Sequence, residues 1–392
     1  MIFDWQSISA LIFIIVLSAL LLRSRKQIVV HGLFPVFYFV MYKTKLGLST
    51  MDSWAKSFPK TIRVFAMTGI GVGFLGMIFI VFEVVKNAIA LLITPSAVAG
   101  VQLVLPIQAK GVFFVPFLYW IISIFVIAVM HEFSHGVVAR LFKIPVKSSG
   151  FAFLGVIAPI VPAAFVEPDE KVLMKKSLKE KLGVFAAGPF ANILFAFALL
   201  LVLWLVVNPA EQNMILPPLP IIQSLTPDGP LDNAGVNFDE QILSIDGEQT
   251  SSIQALALVL KTKKPGDTAL IVTDKAEYSV LLEPRPDNSE LAFIGVERWK
   301  TQTVFNPELV AVFGTLPLAG LLWVFDLLAW LFLLSLGIGM FNLLPLGPID
   351  GGQMFRETMK KLWPKHGHVV WSCVSYLLLA ILLFTLVLPW VR

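Results

Sequence analysis

The stretch GVFFVPFLYWIISIFVIAVMHEFSH, residues 111–135, decides the fold. Residues 111–130 carry no charge, and a bilayer-spanning helix takes about 20 mostly apolar residues. The run leads straight into His131, Glu132 and His135. Ionisable side chains are costly at membrane depth and mark functional positions there. On a helix, positions i and i+4 share a face. Two imidazoles so placed can chelate one zinc ion, and the carboxylate between them can reach a water on that ion. A helix end that merely snorkels to the interface would be better served by Lys or Arg.

The rest of the chain carries the same membrane signal. Its 392 residues are 57% hydrophobic and 14% charged, with a mean hydropathy of +0.82. Soluble domains carry about 25% charged residues. A polytopic α-helical membrane protein is therefore expected. Its spans are 6–22, 64–94, 111–130, 182–207, about 315–341 and 369–390, six in all by length and hydropathy. Residues 30–42 are too short to span, contain Pro35, and read as an interfacial or re-entrant piece. Residues 150–166, GFAFLGVIAPIVPAAFV, are also short and hold Pro159 and Pro162. They read as a membrane-embedded β-hairpin or re-entrant loop behind the His-Glu-His helix. The single cysteine, Cys373, excludes an intrachain disulfide framework and a cysteine-based zinc cluster. The small net charge of +4 gives no reason to expect a nucleic-acid partner.

Lysine and arginine in the short loops set the orientation. They are concentrated in residues 23–63, 140–181 and 356–365, whereas residues 95–112 hold only Lys110. Six spans put the three rich loops on one side, the cytoplasm. Both termini and segment 208–312 then lie outside, and the His131 end of its helix faces the cytoplasm. Asp4 precedes the first span and Arg23, Arg25 and Lys26 follow it. That is the reverse of a secretory signal, so an uncleaved anchor is expected. Short loops and the absence of glycosylation and targeting signals point to a prokaryotic cytoplasmic membrane.

Segment 208–312 breaks the apolar pattern with Pro, Gly, Asp and Asn turns. β-like runs are expected at Pro220–Leu225, Gln241–Ile245, Ala269–Thr273, Tyr278–Leu282 and Leu291–Val296, with a helix over Ser252–Lys261. Asp232-Asn233-Ala234-Gly235-Val236 followed by Ile242-Leu243-Ser244-Ile245-Asp246-Gly247 resembles the body of a PDZ domain. Such a domain binds extended peptides as an added strand.

A catalytic zinc site takes three protein ligands and a water. Beyond His131 and His135, the candidates for the third are Glu167, Asp169, Glu170, Asp350, His366 and His368. The cluster 167–170 lies in a lysine-rich loop and reads as solvated charge. His366 and His368 flank a basic loop. Asp350 ends the stretch Asn342-Leu343-Leu344-Pro345-Leu346-Gly347-Pro348-Ile349-Asp350-Gly351-Gly352. Non-helical backbone at membrane depth is tolerated only when buried in protein or lining a wet cavity, and a carboxylate there wants a cation. The bland alternative is an Asp-Gly turn at the membrane surface.

These residues together resemble the site-2 protease family of intramembrane zinc metalloproteases. The likeness covers about residues 113–207 and 315–365, with the PDZ-like segment between. It rests on His131-Glu132-Phe133-Ser134-His135, on Gly188-Pro189-Phe190-Ala191-Asn192, and on Asn342-x-x-Pro345 followed by Asp350-Gly351. Ile349 stands where the family usually has Leu, a conservative change. The resemblance implies one catalytic Zn2+ held by His131, His135 and Asp350, with Glu132 as general base. It implies Asn192 beside the active site, steadying substrate or oxyanion. It also implies transmembrane protein substrates in the lipid bilayer, pre-trimmed by another protease. The organisation expected is an N-terminal segment, residues 1–110, outside the shared core, then a first catalytic core segment, residues 111–210. A PDZ-like domain, residues 211–300, follows, and residues 301–392 complete the core. Substrate is expected to lie along 150–166. The rival reading is a divalent-metal transporter or metal-sensing membrane protein using the same three ligands. Transporters tend to show two related halves with paired broken helices. The chain has no internal repeat, and transport has no evident need for Glu132. An inactive relative that only binds membrane segments is disfavoured by the intact ligands and Glu132.

Overall fold

The computed structural model describes residues 5–23, 28–33, 37–94, 100–156, 158–286, 288–300 and 303–391. Contacts divide the chain into two units, Met1–Leu203 with Phe325–Arg392, and Trp204–Val324. The first unit opens with α1 (Trp5–Arg23), β1 (Ile28–Leu33), β2 (Phe37–Thr44), α2 (Leu48–Ser57) and α3 (Pro59–Ile93). It continues with β3 (Leu103–Leu105), β4 (Val112–Phe114), α4 (Phe117–Leu141), β5 (Val146–Val156), β6 (Ala158–Pro168), α5 (Glu170–Met174) and α6 (Leu178–Val202).

Helix α4 differs from its expected span at both ends. Residues 112–114 pair in parallel with β3, and Pro116 caps the helix, so the helix starts at Phe117. It then runs past His135 to Leu141, which places the His-Glu-His group inside a helix rather than at its end.

The two short apolar segments share one sheet, ordered β1-β2-β5-β6. Within the segment 30–42, residues 30–33 and 37–42 belong to the paired strands β1 and β2; Pro35 lies outside the described residues. Segment 150–166 falls within β5 and β6, which pair antiparallel. The strand character of 37–44 depends on partners more than a hundred positions away, with Tyr38 paired to Gly155 and Thr44 to Ser149. Gly150 is needed for that pairing, because a Cβ there would run into the Tyr42 carbonyl.

Helix α6 begins earlier than its hydropathy implies. Ser177 and Glu180 form a reciprocal capping box at its first turn, satisfying two otherwise unpaired N–H groups. Gly188 and Pro189 therefore sit in the helix interior, not at its start.

In the second unit the helical run continues through a π-turn at Leu203–Val207 into α7 (Asn208–Met214). Then follow β7 (Ile222–Leu225), α8 (Pro230–Asn233), β8 (Ile242–Ile245), β9 (Glu248–Gln249), α9 (Ile253–Lys261) and β10 (Thr268–Thr273). After these come β11 (Glu277–Leu281), β12 (Glu283–Arg285), β13 (Asn288–Phe293), β14 (Val296–Trp299) and α10 (Pro307–Phe313). The sheets are ordered β11-β10-β8-β9, β12-β13 and β14-β7. The expected strand 291–296 is broken in two. Gly295 takes a φ of +84°, and a Cβ there would lie 2.9 Å from Pro230 Cδ. Its carbonyl accepts from Thr226 N–H and that of Ile294 from Leu231 N–H, so the chain turns off β13 into a different sheet. Ile222, Ile242, Ile245, Ile271 and Val280 are fully buried in this unit's core, each worth about 1.5–3 kcal/mol of burial. Buried Glu240 accepts hydrogen bonds from Asn237 N–H at 3.0 Å, Thr273 Oγ1 at 2.7 Å and the Tyr278 hydroxyl at 3.2 Å, which offset the cost of its burial.

The chain closes with α11 (Thr315–Phe341), α12 (Asp350–Leu362) and α13 (Gly367–Val391). Among the described residues five helices are long and apolar enough to cross a membrane: Pro59–Ile93, Phe117–Leu141, Leu178–Met214, Thr315–Phe341 and Gly367–Leu388. The apolar helix Ile8–Leu20 is shorter. The protein is a polytopic helical membrane protein.

Small residues bring the helices of the first unit together, as membrane packing requires. A Cβ on Gly73 of α3 would sit 2.8 Å from Met354 Cε of α12, and one on Gly339 of α11 would sit 3.1 Å from Asn192 Cβ of α6. These contacts join α3 to α12 and α11 to α6, and residues of α4, α6, α11 and α12 line one cavity.

Candidate metal centre and active site

His131 and His135 project one helical turn apart from α4. His131 Nε2 and His135 Nε2 lie 3.0 Å from each other. Asp350 Oδ2 lies 3.0 Å from His131 Nε2, and Asp350 Oδ1 lies 3.4 Å from His135 Nε2. His131 is 8% exposed, and one donor atom from each of the three residues lies within 4.8 Å of the others. Donors held about 2.0–2.1 Å from a tetrahedral zinc ion stand about 3.4 Å apart. The three side chains therefore fit one such ion, and all three line one cavity.

Asp350 reaches this point because the loop before it is tightly folded. Gly351 N–H donates to the Asn342 carbonyl at 2.7 Å. A Cβ on Gly351 would strike the Leu343 carbonyl, and one on Gly352 the Leu346 carbonyl. The two glycines let the first turn of α12 press backbone-to-backbone on residues 343–347, which aims Asp350 at the imidazoles.

The Gly-Pro-x-x-Asn segment supports the same point from α6. A Cβ on Gly188 would fall 2.5 Å from His131 Nε2 and closer still to His135 Nε2. The rings can lie against α6 only because that side chain is missing. Pro189 offers no N–H to the Phe185 carbonyl one turn back, which loosens this turn of the ladder. His135 Nδ1 donates to the Val184 carbonyl at 2.7 Å. That bond fixes the ring's tautomer and leaves Nε2 as the free lone pair. One turn beyond Gly188, the Asn192 amide nitrogen lies 3.2 Å from His131 Nδ1. Asn192 Oδ1 is buried and has no hydrogen-bond partner among the described residues. Ser335 Oγ of α11 donates to the Asn192 carbonyl at 2.8 Å, tying the two helices at this level.

Glu132 faces the sheet, and its Oε2 accepts from Val166 N–H of β6 at 2.9 Å. A cavity of about 540 Å³ joins these groups. It is lined by His131, Glu132, His135, Asn192 and Asp350, and by Pro162, Ala163, Ala164, Val166 and Pro168 of β6.

The other acidic and histidine candidates lie outside this cluster. Glu167 accepts from Ser148 at 2.6 Å and Lys43 at 3.1 Å, and these bonds hold its carboxyl below the ordinary carboxylate range. Asp169 caps α5 through Val172 N–H at 3.2 Å and pairs with Lys147 at 3.2 Å. Glu170 stands in the first turn of α5. His366 and His368 are exposed. Sequence reasoning misses Gly188, the Val184 carbonyl and Gln353, which also lines the cavity. Gly188 lies within a motif that the sequence does mark. Val184 and Gln353 carry no local signal.

Residues 119–383 match peptidase family M50. The chain belongs to that family. With its relatives, the match makes this M50 chain a zinc metalloprotease of the site-2 type. An uncharacterised protein of Methanocaldococcus jannaschii is 25% identical over 331 residues, covering 82% of this chain and 79% of that protein. The regulator of sigma E protease of Haemophilus influenzae is 28% identical over 160 residues, 40% of this chain and 30% of that protein. The zinc metalloprotease RasP of Geobacillus kaustophilus is 22% identical over 228 residues, 48% of this chain and 52% of that protein. The chain thus aligns with about half or less of either named protease.

Proposed function

We propose that this M50 chain hydrolyses peptide bonds within or beside the transmembrane segments of membrane-protein substrates. His131, His135 and Asp350 hold one zinc ion, and Glu132 acts as general base. The observation that carries the reading is the convergence of three metal-ligating donors and a second carboxylate, Glu132, on one cavity walled by a sheet edge.

Bound zinc supplies a Lewis acid that polarises the scissile carbonyl and acidifies a water. Glu132 takes the proton from the attacking water and later delivers it to the leaving amine. Val184 holds the His135 ring in place through this cycle. A ring that coordinates through Nε2 carries its proton on Nδ1, so His131 donates to Asn192 Oδ1 once the amide is turned over. Asn192 Nδ2 then occupies the unpartnered position and donates to the substrate carbonyl oxygen as negative charge develops there. A substrate helix hides its peptide bonds in its own hydrogen bonds, and lipid offers no replacement. The outer edge of β6 provides one, receiving the unwound segment as an added strand.

The test is proteolysis of a single-span test substrate by purified protein in detergent, with the cut bond mapped by mass spectrometry. Cleavage in or next to the span, stopped by a chelator, is expected. Asn192→Ala, assayed at saturating zinc because His131 loses its partner, should lose about 10²- to 10³-fold in kcat. Zinc movement into reconstituted vesicles without any cleavage would support the transporter instead.

In the same reading the chain crosses a prokaryotic cytoplasmic membrane six times, with α1 as the first span. The lysine-rich loops and metal centre lie toward the cytoplasm. Residues 211–300, within unit Trp204–Val324, form an outside PDZ-like domain that admits substrates already trimmed by another protease. Its small strands, with α9 covering the Leu256 and Val259 side of their core, support that description. Deleting 212–300 should let untrimmed substrate be cut as fast as trimmed substrate; equal, unchanged rates before and after deletion would remove the filter.

A further inference from the structure

Strand β6 pairs with β5 in regular register from Val161↔Leu154 to Glu167↔Ser148. In an antiparallel ladder, alternate residues turn their N–H and C=O groups to the partner and those between turn away. Val166 N–H leaves the ladder for Glu132, so Pro162, Ala164, Val166 and Pro168 are the outward positions. Two of the four are prolines with no N–H to give. Val166 is already engaged. Among the described residues of this regular stretch, Ala164 therefore carries the outward donor that no partner engages, and it lines the cavity.

Gln353 lines the same cavity, about one turn beyond Asp350 on α12. Its Oε1 is buried and accepts no hydrogen bond among the described residues. The residue lines both the metal-centre cavity and an adjoining one of about 490 Å³ with Lys43, Glu167 and Glu170. A buried acceptor without a donor is costly, and an N–H from a bound segment would satisfy it. A strand added to β6 has two edges. One faces β6, and the other turns its alternate N–H groups away from it.

We infer that an extended substrate segment is clamped in a single register, its near edge on Ala164 N–H and its far edge on Gln353 Oε1. The clamp brings one peptide bond to Glu132. It rests on the strand addition proposed above, and it assigns Gln353 a substrate-binding role.

The experiment uses the full zinc-loaded chain in detergent and a fluorescent single-span test substrate. Cut bonds are mapped by mass spectrometry, KM and kcat are measured, and Kd is read in a Glu132→Gln background. Zinc content of each variant reports an intact site. Gln353→Met keeps the length and loses the acceptor. It should raise KM about tenfold and spread cleavage over neighbouring bonds. Gln353→Glu keeps an acceptor oxygen and should restore cleavage at one bond. Ala164→Pro removes the edge donor and should weaken binding in the idle background. Gln353→Met cutting the original bond with unchanged KM overturns the clamp. If Ala164→Pro weakens binding in that case, strand addition survives without it. If Ala164→Pro changes neither Kd nor the cut bond, strand addition itself fails.

Discussion

Replacing Glu132 by Gln should lower cleavage by about three orders of magnitude while the protein keeps its zinc. General-base catalysis contributes about 10²- to 10⁴-fold, and Glu132 is the carboxylate in the cavity that does not share the cluster of His131, His135 and Asp350. Gln has the same length, so its carboxamide oxygen can still accept from Val166 N–H, and the β6 wall should stay in place. The three donors are untouched. Cleavage rates with metal content on the same samples check this. A variant that lost zinc along with activity would mean Glu132 is structural to the metal centre. A variant that cut normally would mean the base lies elsewhere.

The second large effect is expected at a residue with no functional group. Gly188→Ala adds one methyl at a point 2.5 Å from His131 Nε2 and nearer to His135 Nε2. Neither ring can retreat freely. His135 is held by the Val184 carbonyl and His131 lies beside Asn192. Real Cβ contacts do not reach such distances, so α4 and α6 must part or the rings must turn from Asp350. Disturbing the groups around metal ligands commonly costs 10- to 100-fold in affinity, and displacing two ligands at once should cost on the order of 100-fold. Competition with a chromophoric chelator measures it. Wild-type affinity in Gly188→Ala would show that the imidazoles do not rest on α6 when metal is bound.

What is legible of this site in the sequence is local. His131, Glu132 and His135 announce themselves because their spacing and helix are continuous in the chain. Asp350 stands out because Pro and Gly around it forbid ordinary helix at that depth. Gly188 is visible as a motif, but its reason is a contact between two helices, and no single-chain periodicity reports that. Val184 contributes a carbonyl, which every residue has. Gln353 reads as an ordinary polar residue on an amphipathic helix until the cavity on its buried side is seen. The same limit governs the fold. The start of α6 follows from Ser177 and Glu180, once capping rather than hydropathy is read. Strand β2 becomes a strand by pairing with β5, far along the chain, β1 then pairs with β2, and Gly295 breaks an otherwise continuous strand pattern through a positive φ and its packing on Pro230.

The most direct measurement is zinc per chain in the native protein and in Asp350→Ala, with cleavage of one test substrate read in parallel. One ion per native chain, lost together with cleavage in Asp350→Ala, is the predicted result. Stoichiometric zinc and undiminished cutting in Asp350→Ala would contradict the assignment of the three-residue centre on which the whole mechanism stands.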